Sequence, residues 1–551
     1  MKQFLKKAPF PLLLSLLLLA NGCQNTIAIT GESGESEETS SQSTSAVNTA
    51  AVIDTGSLFS DRDLDGSYDE ESAVAISLEG DTASCSSDGV SIQDGQILIS
   101  QEGVYLISGT LEDGQIIINA GDTDKVQLVL EGASLTSSTS APIYSLQADK
   151  VFITLAEGSE NTLANGGEFV AIDENNIDGV IFSKTDLTLN GSGSLSIVSP
   201  AGHGVVSKDD LVVTGGTYQV EALNHGLEGK DSLSIAGGAF SLTCGKDGLR
   251  SENTEDASLG SVYIQNGEFQ IDAQGDAVSA SGALQVDSGT FSIVTAGGSE
   301  TVTMDTGEDF GQGRTPFPGS SSESDAASED ASTDTASAKG LKADGTIFIQ
   351  GGAFSTDTAD DSIHAGGDIS ITAGTFLLQS GDDAIHSDSN LLIQDGDFTI
   401  PYCYEGIEGL SITIDGGTFQ ITSQDDGLNA AGGADSSGFG MRQQDQFASS
   451  ASSDSFILIN GGTFTITSQG DCIDSNGDLT INGGTLDLTC NGSGNTALDT
   501  DGSYANNGGT VTTNDGSEEN PGAMGGGQGG MGGKMGGGRQ NSTTPPSSTA
   551  P

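Results

Sequence analysis

Apolar and polar residues alternate with a period of two along most of this chain, in short runs cut by glycine. The stretch "DISITAGTFLLQSGDDAIHSD" (368–388) shows the unit. Ile369 and Ile371 alternate before a glycine turn, Phe376 and Leu378 alternate after it, and Ile385 opens a third segment. Successive side chains of a strand point to opposite faces, so each run predicts a half-buried β-strand. The unit repeats. Its anchor glycines are Gly216, Gly238, Gly267, Gly289, Gly352, Gly374, Gly396, Gly417, Gly462 and Gly484, with a weaker turn at Gly193. Uninterrupted steps are 22 or 21 residues, and the longer ones contain inserted loops.

Three short strands cannot close a core alone, whereas stacked units bury a continuous one. The pattern therefore predicts an all-β fold: a right-handed parallel β-helix (a β-solenoid), about 22 residues per coil, three short strands per coil. Right-handed connection is the default for parallel strands. Phe240, Phe269, Phe291, Phe354, Phe376, Phe398, Phe419 and Phe464 share one position of the unit with Tyr218. Leu195 and Leu486 substitute there, which favours an interior stack over a row of sugar-stacking rings. The β-helix is expected over 58–515, with irregular N-terminal coils to about 185 and loop insertions at 297–338 and 431–455. Residues 516–551, rich in Gly, Met, Ser and Pro, have nothing to bury and read as a disordered tail.

The first 22 residues, "MKQFLKKAPFPLLLSLLLLANG", join a basic start to an apolar run too short for a comfortable membrane span. Ala20-Asn21-Gly22-Cys23 resembles a bacterial lipoprotein cleavage box, with Ala where Leu is common and Cys23 as the lipid attachment point. A plain signal peptide ending near Gly22 is the other reading. Residues 23–57 form a Ser/Thr/Glu-rich spacer with a reach of roughly 30 Å. The mature chain is thus expected on the extracellular face of a bacterial membrane, held at the cell surface by lipid only.

Charge sharpens the picture. Lys and Arg total 17 against 78 Asp and Glu, a formal net charge of −61. Phosphate contacts need Lys and Arg, so nucleic acid is excluded as a partner, and cations or neutral partners are favoured. Beyond Cys23, the five cysteines (85, 244, 403, 472 and 490) match no zinc spacing and are odd in number, so at least one is unpaired or bridged to another chain.

The acids are periodic. Nine residues after the anchor glycines stand Asp247, Asp276, Asp361, Asp383, Glu405, Asp426 and Asp471, with His225 one coil earlier. Asp360, Asp382 and Asp425 precede three of them. Stacked carboxylates about 4.8 Å apart repel by about 1 kcal/mol in water, and by about 3.5 kcal/mol at a dielectric of 20. Cations or protons between them would offset that, and calcium suits hard oxygen ligands in loose geometry. Turn-capping by the aspartates is the competing reading. Three residues further on lies a second column: Glu228, Arg250, Ser279, His364, His386, Glu408, Asn429 and Asp474. The apolar residue before each points inward, so this column points out beside the acids, as a sugar-binding strip or a solvated face. A third candidate, "DRDLDGSYDEE" (61–71), resembles the start of an EF-hand loop but carries Ser72 where the closing glutamate belongs.

These repeats, the "GDDAIHSD" motif and the stretch "GVYLISGTLEDGQIIINAGDTDKVQLVLEGASL" (103–135) resemble the bacterial carbohydrate-binding β-helix proteins. That family has a polysaccharide-lyase-like fold, binds calcium, and attaches to cellulose and acidic plant polysaccharides. The resemblance covers roughly 58–515. It implies calcium at Asp360, Asp361, Asp382, Asp383, Asp425 and Asp426. Glu405 and Asp471 share the column but depart from the paired motif. His364, His386, Glu408, Asn429 and Tyr404 become the carbohydrate-binding candidates. The expected function is a non-catalytic surface lipoprotein that binds cellulose or an acidic polysaccharide. A calcium-dependent pectate-type lyase is the alternative, with Lys246 beside Asp247 as candidate base and Arg250 as the only arginine in the regular coils. A structural or adhesive stalk is the third reading.

Overall fold

The computed structural model describes residues 53–170, 175–302, 337–431 and 454–521. The expected signal peptide, Cys23, most of the expected spacer, the interiors of both expected insertions and most of the expected tail lie outside these residues.

The described chain is nearly all β, and its 44 strands join in one long, mostly parallel sheet, the arrangement of a β-solenoid. Over the repeats, strands fall into three parallel ladders. The first follows the anchor glycines, as in Ala353–Thr358, Thr375–Ser380 and Asp397–Tyr402. The second holds very short strands such as Ile363–Ala365 and Leu428–Ala430; the third holds strands such as Ile347–Ile349 and Ile369–Ile371. In two places, Ile385–Ile393 and Ile407–Ile414, one strand serves both the second and third ladders.

Register follows the hydrophobic pattern, because a one-residue slip would turn every apolar side chain to solvent. Phe354, Phe376, Phe398, Phe419 and Phe464 pair in sequence along the first ladder. Their rings stack face to face at 4.5–5.0 Å and are buried. The turn before each needs glycine. Gly374 has φ +140°, and a Cβ there would meet the Phe376 ring at 2.7 Å. Leu486 continues the same column below Phe464. Replacing Phe398 by leucine is therefore expected to cost no more than about 1.5 kcal/mol in urea unfolding, with the circular dichroism spectrum unchanged.

The N-terminal end is less regular. Val74–Gly80 pairs antiparallel with Ala83–Cys85, and Val90–Gln93 with Gln96–Ile99. Residues 53–66 then cross the outside of the third ladder. The Ile53 N–H donates to Gln285 Oε1, Phe59 packs on Tyr263, and Ser60 caps the one-turn helix Asp61–Leu64. Within that turn Asp63 is buried, 2.8 Å from Lys150 Nζ, and accepts from Thr188 Oγ1 at 2.6 Å. The EF-hand-like stretch thus meets an ammonium group, and it fastens the strap. The described chain is therefore packed on the fold already at residues 53–57.

At the other end it runs past 515. The Leu498 N–H donates to Ser517 Oγ and the Ala497 N–H to Asp515 Oδ2, so residues 515–517 satisfy donors that no further strand would reach. All five described cysteines are free thiols, four of them buried.

Candidate functional site

The short strands of the second ladder carry the candidate strip. Their inward residues, Ile363, Ile385, Ile407, Leu428 and Ile473, are buried in the core. The next residue of each points out and pairs with its equivalent in the adjacent layer. The resulting column reads Glu228, Arg250, Ser279, Lys342, His364, His386, Glu408, Asn429, Asp474, Asp499.

The acid column beside it is tied together through the backbone. The Asp383 N–H donates to Asp361 Oδ1 at 2.9 Å, Glu405 N–H to Asp383 Oδ1 at 3.1 Å, and Asp471 N–H to Asp426 Oδ1 at 2.6 Å. Asp276 N–H does the same to Asp247 Oδ1 at 2.9 Å. Capping is therefore real, but each such bond uses one carboxylate oxygen. The other is left for a second partner.

What that partner is divides the strip. Toward the N-terminal side, basic groups of the chain supply it. Lys339 is buried with Nζ 3.0 Å from Asp360 Oδ1 and 2.7 Å from Asp361 Oδ2, and His364 Nδ1 lies 2.8 Å from the same Asp361 oxygen. Burial works to raise the Asp361 carboxyl, but the Lys339 ammonium and His364 hold it well below the usual range. Arg250 reaches Glu228 and Asp247, and Lys342 stands 3.7 Å from Asp276. Asp360, Asp361 and Asp382 offer oxygens within 4.8 Å of one another. A cation already touches the first two of these.

Toward the C-terminal side the acids dominate. His386 is bracketed by Asp383 Oδ2 at 3.0 Å and Glu408 Oε2 at 2.9 Å; burial works to lower its pKa, but Glu408 above all raises it well above the ordinary histidine range. Beyond it come Glu405, Asp425, Asp426, Asp471, Asp474 and Asp499. Burial is the first cause that pushes Asp383, Glu405 and Asp426 well above the ordinary carboxylate range, and mutual repulsion adds to it. Asp471 is pushed up to about 6 and Asp474 to about 7 by the same two causes. Tyr404 hydrogen-bonds Asp425. Asn429 is buried and donates from Nδ2 to Glu405 Oε2 at 2.8 Å, which leaves its Oδ1 buried with no donor. The orphaned carbonyl oxygen stands among acids, in register between Glu408 and Asp474.

The sequence-read residues are thus brought together: Asp361, Asp383, Glu405, Asp426 and Asp471 form one column, Asp360, Asp382 and Asp425 stand one residue ahead of it, and His364, His386, Glu408 and Asn429 form the next. Those four are at most 8% exposed, so they hold one another and cannot lie flat against a sugar. Lys246, the candidate base, is exposed. Sequence reading missed Lys339 and Lys342, because the 297–338 insertion interrupts the period. Aligning "AKGLKADG" (338–345) with "DDSIHAGG" (360–367) places Lys339 on the acid column and Lys342 on the second. A shallow groove of about 540 Å³ lies elsewhere, on the outer face of the first ladder, lined by Thr217, Gln219, Ser241, Glu268 and Gln270 among others.

A family model described as carbohydrate-binding domain-containing protein matches residues 93–384 and 382–520. A carbohydrate-binding domain-containing protein of Acetivibrio thermocellus is 32% identical over 209 residues, which cover 37% of this chain. The match spans 65% of that relative's length. The solved structure of the polysaccharide lyase-like protein from C. thermocellum, a gadolinium derivative, is 34% identical, with a TM-score of 0.39. That match covers 41% of this chain and 92% of the other.

Proposed function

Because this chain belongs to the family of carbohydrate-binding domain-containing proteins, we propose that it is a polysaccharide-binding surface lipoprotein, anchored through Cys23, whose strip is loaded with calcium. The fold we propose is a right-handed parallel β-helix of about 22 residues and three strands per coil. In-register pairing at 22-residue separations, as between Asp361 and Asp383, supports it.

The observation that carries the calcium part is the Asn429 carbonyl oxygen, buried without a donor among acids whose proton affinity burial and mutual repulsion raise. Neutral carbonyl plus carboxylate oxygens is the donor set calcium takes. Asp382, Asp383, Glu405, Asp425, Asp426, Asn429, Asp471 and Asp474 would hold it. Asp360 and Asp361 have Lys339 in that role. Since the second-column residues are buried, the glycan would meet the strip through bound calcium and through the rim at Tyr404. An acidic polysaccharide supplies carboxylates for the open positions of such ions.

The test is retention of the full chain on insoluble cellulose and on pectate gel, with calcium and with chelator. Calcium-dependent retention without ultraviolet-absorbing unsaturated product supports the reading, and Asp426→Asn should weaken it about tenfold or more. Unsaturated product would replace it with a lyase. Absence of retention on either matrix alongside calcium uptake would leave a structural stalk.

A further inference from the structure

The chain has only four histidines, and all four stand on this one strip in two stacked pairs. His203 and His225 stack at 5.0 Å, and His364 and His386 at 5.1 Å. The pairs differ in what surrounds their nitrogens. In the second pair each Nδ1 sits within 3.0 Å of a carboxylate oxygen. In the first, His203 Nδ1 is buried with no hydrogen-bond partner, and the nearest acid oxygen, Glu228 Oε2, is 3.6 Å away.

We propose that His203, His225 and Glu228 bind a divalent transition-metal ion of the zinc class, at the opposite end of the strip from the oxygen-rich half. One ligand atom from each lies within 4.8 Å of the other two. Bonds of about 2.1 Å in a tetrahedron set ligands about 3.4 Å apart, so closure asks for side-chain shifts of roughly an ångström. Two imidazoles and a carboxylate are a set that zinc accepts, with a fourth position left for water or a ligand. Each imidazole also has a carboxylate behind it. Asp178 Oδ2 lies 4.0 Å from His203 Nε2, and Asp178 Oδ1 is itself buried without a partner. Asp247 Oδ2 lies 3.1 Å from His225 Nδ1. Such outer carboxylates orient the ring and make the coordinating nitrogen more basic.

His225 Nδ1 also stands 3.1 Å from the Asp247 backbone N–H, which donates to it when that nitrogen is bare. Metal at Nε2 requires the imidazole proton on Nδ1, shared with Asp247 Oδ2 instead. Lys208 Nζ at 3.7 Å and Arg250 Nη1 at 3.6 Å also face Glu228 and compete with the ion. Neither is within hydrogen-bond reach of Glu228, so the carboxylate can turn to the metal. Their presence sets the affinity below that of a closed structural zinc site.

The experiment uses chelator-stripped full chain in millimolar calcium, which fills oxygen sites, titrated with zinc by calorimetry and with cobalt(II) by visible absorption. One equivalent of zinc and a ligand-field spectrum are expected. The wild-type uptake should disappear in His203→Ala and in His225→Ala, fall about 10–100-fold in Asp178→Asn, and persist in Asp426→Asn. Histidine-selective nitrogen-15 spectra of the wild type give a readout independent of variant folding. Zinc should move the signals of His203 and His225 and leave those of His364 and His386. No zinc uptake, uptake retained in the double histidine variant, or shifts confined to His364 and His386 would each overturn the site.

Discussion

Calcium-free protein is expected to lose stability as pH rises from about 4 to about 7, and calcium is expected to abolish that slope. The sign follows from the oxygen-rich half. Asp471 and Asp474 have folded pKa values of about 6 and about 7 against an ordinary 3.8. Asp383, Glu405 and Asp426 are raised as well, with burial the first cause in every case. A carboxyl raised on folding binds its proton more tightly in the folded state, so folding is favoured where that proton is held. The advantage shrinks as pH climbs from the unfolded value to the folded one. For a partly exposed group such as Asp474 this is on the order of 1–3 kcal/mol after allowing for solvent screening. Bound calcium replaces the protons: at 100 times its Kd, one ion stabilises the fold by about 2.7 kcal/mol. Urea unfolding at pH 5 and pH 7.5, with chelator and with calcium, measures both. Asp426→Asn should raise the stability of the calcium-free protein at pH 7.5 and cut its response to calcium. Identical calcium-free stability at both pH values would refute the account of the acids.

Lys339→Met is expected to destabilise the chain by about 3–5 kcal/mol at pH 7, the usual cost of removing one partner from a buried ion pair. Methionine fills most of the lysine volume, so the loss comes from charge. Asp360 and Asp361 would be left buried without the ammonium now 3.0 and 2.7 Å away. Here the pH sign is opposite. Asp361 is depressed on folding, so its contribution is present above the unfolded pKa of about 3.9 and is lost as pH falls through the folded one. The variant and wild type should therefore converge in acid. Adding Asp360→Asn and Asp361→Asn to Lys339→Met should restore much of the loss. If the single variant is destabilised by less than about 1 kcal/mol, Lys339 is not the cation that neutralises this pair.

Much of this was legible in the chain because a solenoid is close to one-dimensional. Each residue meets its equivalent in the next layer, so periodicity along the sequence becomes adjacency in space. The Phe column, the acid column and the outward second column follow from counting residues after each glycine. Position alone does not settle what a residue does there. Asp361 and Asp383 sit in nearly the same local sequence, "DDSIH" and "DDAIH", and each faces the histidine three residues on, yet Lys339 neutralises one while Glu408 crowds the other. The insertion at 297–338 hid Lys339 from the count. Likewise "DRDLDGS" reads as a cation loop until Lys150 and Thr188, from distant strands, arrive at Asp63.

The sequence by itself determined the β architecture, the repeat, the register of its columns and the concentration of acids on one of them, since all four are set by spacing within a few dozen residues. Only the tertiary structure decided which acids are already neutralised, which oxygens are left without a donor, and that His203 and His225 stand together beside Glu228. Those are questions of burial and of distances between side chains in separate layers, where the electrostatic energy depends on every charge within a few ångströms and not on the neighbours along the chain.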